Sequence, residues 1–292
     1  MYNQFFGLRE DPFNLTPDSR FLFMTWRQRR ALAGLTYALL NRKRCLSLIG
    51  DIGTGKTTLI AAALRCLPPE RIRFSVIYNP TLTSEEFLES ALMGFSAAEI
   101  PASKPARLAA LERLVEHEKS AGRICALIVD EAQKLSFEAL EEIRLLGNIE
   151  LLQVVLVGQI ELNQLLGRPE VAALKQRIAL RLTIEAISAE EVGQYIAHRW
   201  TKAGGSLPVP FAPDAIEAVV RYSARVPRLI NVICDNALRL AHADECRNLT
   251  AVHILEAVRS LDLAEPVLEP ASPAPLKAAA AAAGRKGILT LG

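Results

Sequence analysis

The chain has 292 residues, half of them apolar and 23% charged, with a net charge of +2. That composition suits one large folded domain or two modest ones and excludes a disordered or collagen-like chain. The near-neutral total decides nothing about an acidic partner, so charge has to be read locally.

The N-terminus, MYNQFFGLREDPF, lacks the basic start and apolar core of a signal peptide. No run reaches the roughly 18 apolar residues that a membrane helix needs. The cysteines at 45, 66, 125, 234 and 246 form no CxxC or other metal-ligand spacing. An odd, unpatterned set fits a reducing compartment, and the expectation is a soluble, cytoplasmic protein without an integral membrane segment.

Residues 1–25, rich in aromatics, Pro and Asp, read as an ordered lead segment that packs against something. A helix is expected over 27–43, with RQRR near its start and NRKR at its end. CLSLIG (45–50) is a short apolar run closed by glycine, as in a strand buried on both faces. Helical sequence follows from Thr57 to about Leu67, where Pro68 and Pro69 stop it. RFSVIYN (73–79) is the next strand, and Thr83 to Glu86 reads as a capping box that opens a helix. ICALIVD (124–130), LLQVVLVG (151–158) and LRLTIEA (180–186) are further strands, with a helix over 137–146. Apolar strands alternating with helices indicate an α/β fold with a parallel sheet. After residue 187 the pattern is helical only. Ser188 with Glu191 and Asp214 with Glu217 read as capping boxes, and Thr250 as the cap of a last helix. The expected organisation is a core over 1–186 that includes the lead segment, a helical domain over 187–263, and an Ala/Pro-rich flexible tail over 264–292.

The chemistry-bearing segment is GDIGTGKTT: Gly50, Asp51, Ile52, Gly53, Thr54, Gly55, Lys56, Thr57 and Thr58. It fits G-x-x-x-x-G-K-[ST] between a buried strand and a helix. The glycines let backbone amides turn inward toward phosphate, and the helix start adds unpaired N–H groups. Lys56 is expected to reach the β- and γ-phosphates of ATP and Thr57 to ligate Mg²⁺. Asp130 ends the strand ICALIV, where an aspartate holds the Mg²⁺ shell. Glu131 beside it is suited to orient or deprotonate a water. Gln159, just past VVLVG, is a polar group that reaches a γ-phosphate or is an ordinary loop residue, and Asn148 is a weaker candidate for such a contact. Arg177, Arg181 and Arg228 are candidates for an arginine delivered to the γ-phosphate, each with a solvated side chain as the plain alternative.

Residues 19–50 hold Arg20, Arg27, Arg29, Arg30, Arg42, Lys43 and Arg44 and no acid. This basic run suits nucleic acid or acidic lipid, or is a solvated helix face near the nucleotide. The four histidines have no metal spacing and no assigned role.

In combination, FFGL…PFNLTPDSRFLF, GDIGTGKTT, LIVDEAQKL, LLQVVLVGQIEL, LKQRIALRL and VPRLINVICDNAL resemble the AAA+ ATPases of the general secretion pathway protein A (ExeA) type. ATPases of MSHA-pilus and exopolysaccharide loci are similar, as are TnsC/TniB transposition ATPases more distantly. The resemblance covers about residues 1–260. It implies an αβα ATPase core with a small helical lid, Walker A over Gly50 to Thr58 and Walker B at Asp130 and Glu131. It further implies sensor 1 at Gln159, sensor 2 at Arg228, and an arginine finger at Arg177, with Arg181 second. The family usually has glycine where this chain has Arg225, and often histidine where it has Gln28. Full-length ExeA proteins continue into a membrane segment and a peptidoglycan-binding domain, which this sequence lacks.

By resemblance, the expected function is ATP binding and hydrolysis by a ring or filament of copies that drives assembly of an envelope machine. The partner is then a protein of the envelope assembly, with the ATPase peripheral at the inner membrane through that partner. The alternative is an ATP-dependent DNA adaptor of the transposition type, for which the basic run would matter.

Overall fold

The computed structural model describes residues 2–16, 18–78 and 80–263. The tail expected over 264–292 lies outside them. The chain begins with helix α1 (Tyr2–Phe6) and an irregular lead to α2 (Trp26–Leu40). Then come β1 (Cys45–Gly50), α3 (Lys56–Cys66), β2 (Ile72–Ile77), α4 (Ser84–Gly94), α5 (Lys104–Ser120) and β3 (Ile124–Val129). They are followed by α6 (Phe137–Leu146), β4 (Leu152–Gly158), α7 (Glu161–Gly167), α8 (Ala172–Arg177) and β5 (Ile178–Ile184). Four helices close the described chain: α9 (Ala189–Lys202), α10 (Pro213–Tyr222), α11 (Pro227–Ala243) and α12 (Ala251–Ser260).

The five strands form one parallel sheet in the order β2-β3-β4-β1-β5. Every residue of β1, β3 and β4 is buried, as expected of strands covered on both faces. Successive side chains point to opposite sides. Leu127, Val129, Val154 and Leu156 therefore pack with α4 to α8, while Ala126, Ile128, Val155 and Val157 pack with α2 and α3. β5 is an edge strand. Leu180 and Leu182 turn toward α2, and Ala179, Arg181 and Thr183 are exposed.

The four C-terminal helices have their own apolar cluster. The lead segment, grouped in sequence with the core, buries Tyr2, Leu8, Phe13 and Phe21 in that cluster. Tyr2 also donates to Asp235 at 2.6 Å. Thr83 with Glu86 and Ser188 with Glu191 form capping boxes. Asp214 does not cap α10, whose first turn is preset by Pro213 after Ala212. Its carboxylate accepts from the backbone N–H of Ala251 at 2.9 Å and so serves the start of α12. At that start His253 Nδ1 accepts from the Thr250 N–H at 3.1 Å, which gives one histidine a structural role.

Candidate functional site

The site lies at the C-terminal ends of the strands, beside the pair β1 and β4, from which the chain departs in opposite directions, toward β2 and toward β5. That is where open parallel sheets bind ligands. β1 delivers Gly50, β3 delivers Asp130 and β4 delivers Gln159 to the same rim.

Between β1 and α3 the loop curls back on itself. Gly53 and Gly55 have φ of +78° and +98°, left-handed values that side chains resist. Gly50 needs its missing Cβ for a different reason: an added carbon would stand 2.4 Å from the Ile184 carbonyl oxygen. Lys56 is buried at 7% exposure, and its Nζ donates to the carbonyls of Gly50 and Asp51 at 2.8 and 2.9 Å. Burial holds its pKa below the ordinary lysine value, opposed by the nearby charges of Glu131 and Asp130. A buried ammonium held only by neutral carbonyls is a receptor for anionic oxygen, so the loop fits a nucleotide's phosphates.

The two residues expected to hold magnesium, 73 positions apart, meet here. Thr57 Oγ1 donates to Asp130 Oδ2 at 3.0 Å. A hydroxyl and a carboxylate at that separation are hard oxygen donors of the kind that Mg²⁺ accepts alongside phosphate and water. Asp130 is braced in turn, Oδ1 accepting from the Glu131 N–H at 2.9 Å.

Glu131 itself has φ of +53°, a conformation uncommon for a residue with a side chain and often met at active sites. Its Oε2 accepts from Gln133 Nε2 at 2.9 Å and from Gln159 Nε2 at 3.2 Å, with Lys134 Nζ at 3.4 Å. Gln133 also accepts the Gln159 backbone N–H at 3.1 Å through Oε1. It thus ties the end of β3 to the end of β4. Sequence reading gave Gln133 no role. Its place in DEAQ, two residues past Glu131, was the available signal.

The fourth wall comes from the helical domain. The backbone N–H of Arg228 donates to the Gly53 carbonyl at 3.3 Å, and an added Cβ on Gly53 would collide with Arg228 Cβ at 2.7 Å. The cleft between loop, lead segment and helical domain has a volume of about 370 Å³. Gln28 lines it, and its side chain is already engaged in the capping box with Thr25 at the start of α2. Opposite, the buried Arg199 donates to the carbonyls of Pro12 and Asn14 at 2.6 and 3.1 Å, clasping the lead segment to α9. Neither Arg199 nor Tyr195, which also lines the cleft, stood out in the sequence, because both sit on an ordinary amphipathic helix.

Arg177, Arg181 and Asn148 are not brought to this cleft. Arg177 precedes Ile178, which pairs with Cys45 at the opposite end of β1 from Gly50. Its Nη1 donates to the Arg144 carbonyl at 2.7 Å, and Asn148 lines a small hollow beside it. Arg181 lies on the exposed face of β5, level with Ser47. Ala224 and Arg225 both have left-handed φ, +46° and +63°, which accounts for glycine being the usual residue at the Arg225 position of the resembling family.

Comparison with known proteins agrees with this geometry. Residues 40–166 match the AAA domain family. The phosphate loop and the Asp130–Glu131 pair both fall inside that match. The chain is 40% identical over 252 residues to general secretion pathway protein A of Aeromonas hydrophila, and it is a homologue of that protein. The alignment takes in 83% of this chain and 45% of the relative, so the chain spans just under half of the relative's length. Among solved structures, the Aeropyrum pernix ORC2 protein (ADPNP–ADP complexes) superposes with a TM-score of 0.67 at 17% identity, over 87% of this chain and 72% of that one. Cdc6p from Pyrobaculum aerophilum gives 0.67 at 14% identity, over 87% and 71%. The Thermotoga maritima RuvB branch-migration motor gives 0.52 at 18%, over 80% and 69%. At such identities the likeness is one of fold. Among the described residues no helix is long and apolar enough to cross a membrane.

Proposed function

We propose that the protein binds ATP with Mg²⁺ in this cleft and hydrolyses it. We further propose that copies associate so that an arginine of one reaches the γ-phosphate held by the next, and that the cycle drives assembly or remodelling of a cell-envelope machine. The carrying observation is the meeting of Thr57 with Asp130 at 3.0 Å, one residue before a glutamate fixed by two amides. In this reading Lys56 exchanges its loop carbonyls for phosphate oxygens. Thr57 and Asp130 hold Mg²⁺, which neutralises charge on the phosphates. Glu131 takes a proton from the attacking water, and Gln133 and Gln159 keep its carboxylate aimed. Arg228 lies against the loop from the helical side and suits the sensing of the γ-phosphate. Arg177, at the far end of the sheet, suits delivery to a neighbour, with Arg181 second. The envelope role is supported by the homologue's name and is the least local part of the reading.

The direct test pairs two variants. Lys56→Ala should abolish nucleotide binding. Glu131→Gln should keep binding and lower turnover by about 10²–10⁴-fold. Persistent turnover in Glu131→Gln would remove that residue from its role. ATP that is neither hydrolysed nor able to change oligomer size would sink the reading. The same assay with duplex DNA at low and physiological salt separates the adaptor alternative, which requires steep, salt-sensitive stimulation.

A further inference from the structure

Helix α2 has two unlike faces. Gln28, Ala31, Leu35, Ala38 and Leu39 are buried against the sheet and the cleft. The outward face is not the charged surface usual for a helix on a folded domain. At about 100° per residue, Trp26, Arg30, Ala33, Tyr37 and Leu40 fall within about 80° of arc. Trp26 is 53% exposed, Tyr37 62% and Leu40 43%. The stripe runs the length of the helix, about 22 Å.

Cations bracket the stripe at both ends, Arg29 and Arg30 at one and Arg42, Lys43 and Arg44 at the other, all exposed. Two basic neighbours are already satisfied: Arg20 by Glu10 and Asp18, and Arg27 by Glu185. For Arg29, Arg30, Arg42, Lys43 and Arg44 the described residues supply no carboxylate partner. The guanidinium of Arg30 lies 5.6 Å from the Trp26 ring centroid, so cation and aromatic surface are presented together.

We propose that this stripe docks the protein on an anionic bilayer surface, with Trp26, Tyr37 and Leu40 at the headgroup–acyl boundary and the flanking cations on lipid phosphates. A duplex backbone would satisfy the cations but offers nothing to an exposed indole, phenol and isobutyl group in line. A bilayer interface accepts both. The inference is independent of ATP turnover, since none of these side chains belongs to the nucleotide site.

The test uses the chain's two tryptophans. Trp26 is exposed and Trp200 is 3% exposed in the helical domain, so a change in emission reports Trp26. The full chain is titrated with vesicles of equal parts phosphatidylglycerol and phosphatidylcholine, and with phosphatidylcholine alone. Expected are co-sedimentation with the anionic vesicles only, a blue shift, and quenching by lipids brominated in the upper acyl chain. Trp26→Phe should lose the optical change and keep sedimentation. The triple change Arg42→Gln, Lys43→Gln, Arg44→Gln should weaken binding by about a hundredfold, at about fivefold per cation, with thermal unfolding unchanged. No sedimentation at low salt would overturn the proposal. So would sedimentation without any change at Trp26, or binding of duplex DNA through the same cations by a protein that ignores vesicles.

Discussion

Replacing Gln133 with Leu keeps the side chain's bulk and removes both of its bonds. The Nε2 bond to Glu131 at 2.9 Å is made to a charged acceptor, worth about 1.5–3 kcal/mol. The bond from the Gln159 N–H at 3.1 Å adds about 1 kcal/mol, felt mainly as stability. Glu131 keeps only the longer contacts, to Gln159 Nε2 at 3.2 Å and Lys134 Nζ at 3.4 Å. If the carboxylate's aim matters only when it takes the proton, the first loss appears in kcat. At 1.36 kcal/mol per decade it amounts to about 10- to 10²-fold. Neither bond touches residues 50–58, so the Kd for a fluorescent ATP analogue should move by less than about threefold. Steady-state turnover and analogue titration, run on both proteins, give the two numbers. An unchanged kcat would show that Glu131 needs no such support. An equal loss in Kd would show that Gln133 shapes the phosphate loop and not the glutamate.

Arg177→Ala should lose turnover while retaining ATP, and mixing it with Glu131→Gln should restore part of the rate, since each supplies what the other lacks. No recovery at any mixing ratio would remove Arg177 as a residue acting between copies. Arg225→Gly relieves a left-handed φ of +63° and removes a buried Nε that has no hydrogen-bond partner, which should raise stability by about 0.5–1 kcal/mol. Thermal unfolding should shift upward by about 1–3 °C, and a fall would mean that the arginine stem packs more than it strains. Glu118 is buried between Arg123 and Arg73, and these bonds, Arg123 foremost, hold its carboxyl below the ordinary 4.5. Its contribution is therefore present above pH 4.5 and lost as pH falls through the folded-state value. Glu118→Gln should cost about 2 kcal/mol at neutral pH and flatten the acid limb of a stability profile.

The sheet was legible because its strands are buried on both faces, so β1, β3 and β4 appear as unbroken apolar runs. β5, an edge strand, is shielded only at alternate positions, and its start was read two residues late because Ile178 follows a helix without a glycine. Helix α5 went unannounced. Its buried positions are Leu111, Val115 and Glu118, and a buried charge erases the periodic signal. Asp214 sits beside a helix start and reads as a cap, yet its partner is 37 residues away, a pairing that spacing cannot express. The phosphate loop and the Asp130–Glu131 pair could be read because their chemistry needs fixed residue types at fixed separations. Arg199 could not, because its partners, the carbonyls of Pro12 and Asn14, arrive from a distant part of the chain, whereas Gln133 stood within reach of Glu131 in the sequence and was passed over.

The cleft is walled in part by the lead segment and the helical domain, and these two also meet away from it. Phe5 rests on His242 and Arg247, Tyr2 on Asp235, and Arg9 donates its N–H to the Ala203 carbonyl. Tyr2 and Asp235 are 233 positions apart, and Pro12 and Arg199 are 187 apart, so the whole sheet lies inside the circuit that these contacts close. On the proposed function, nucleotide held in the cleft favours the closed circuit over the open one.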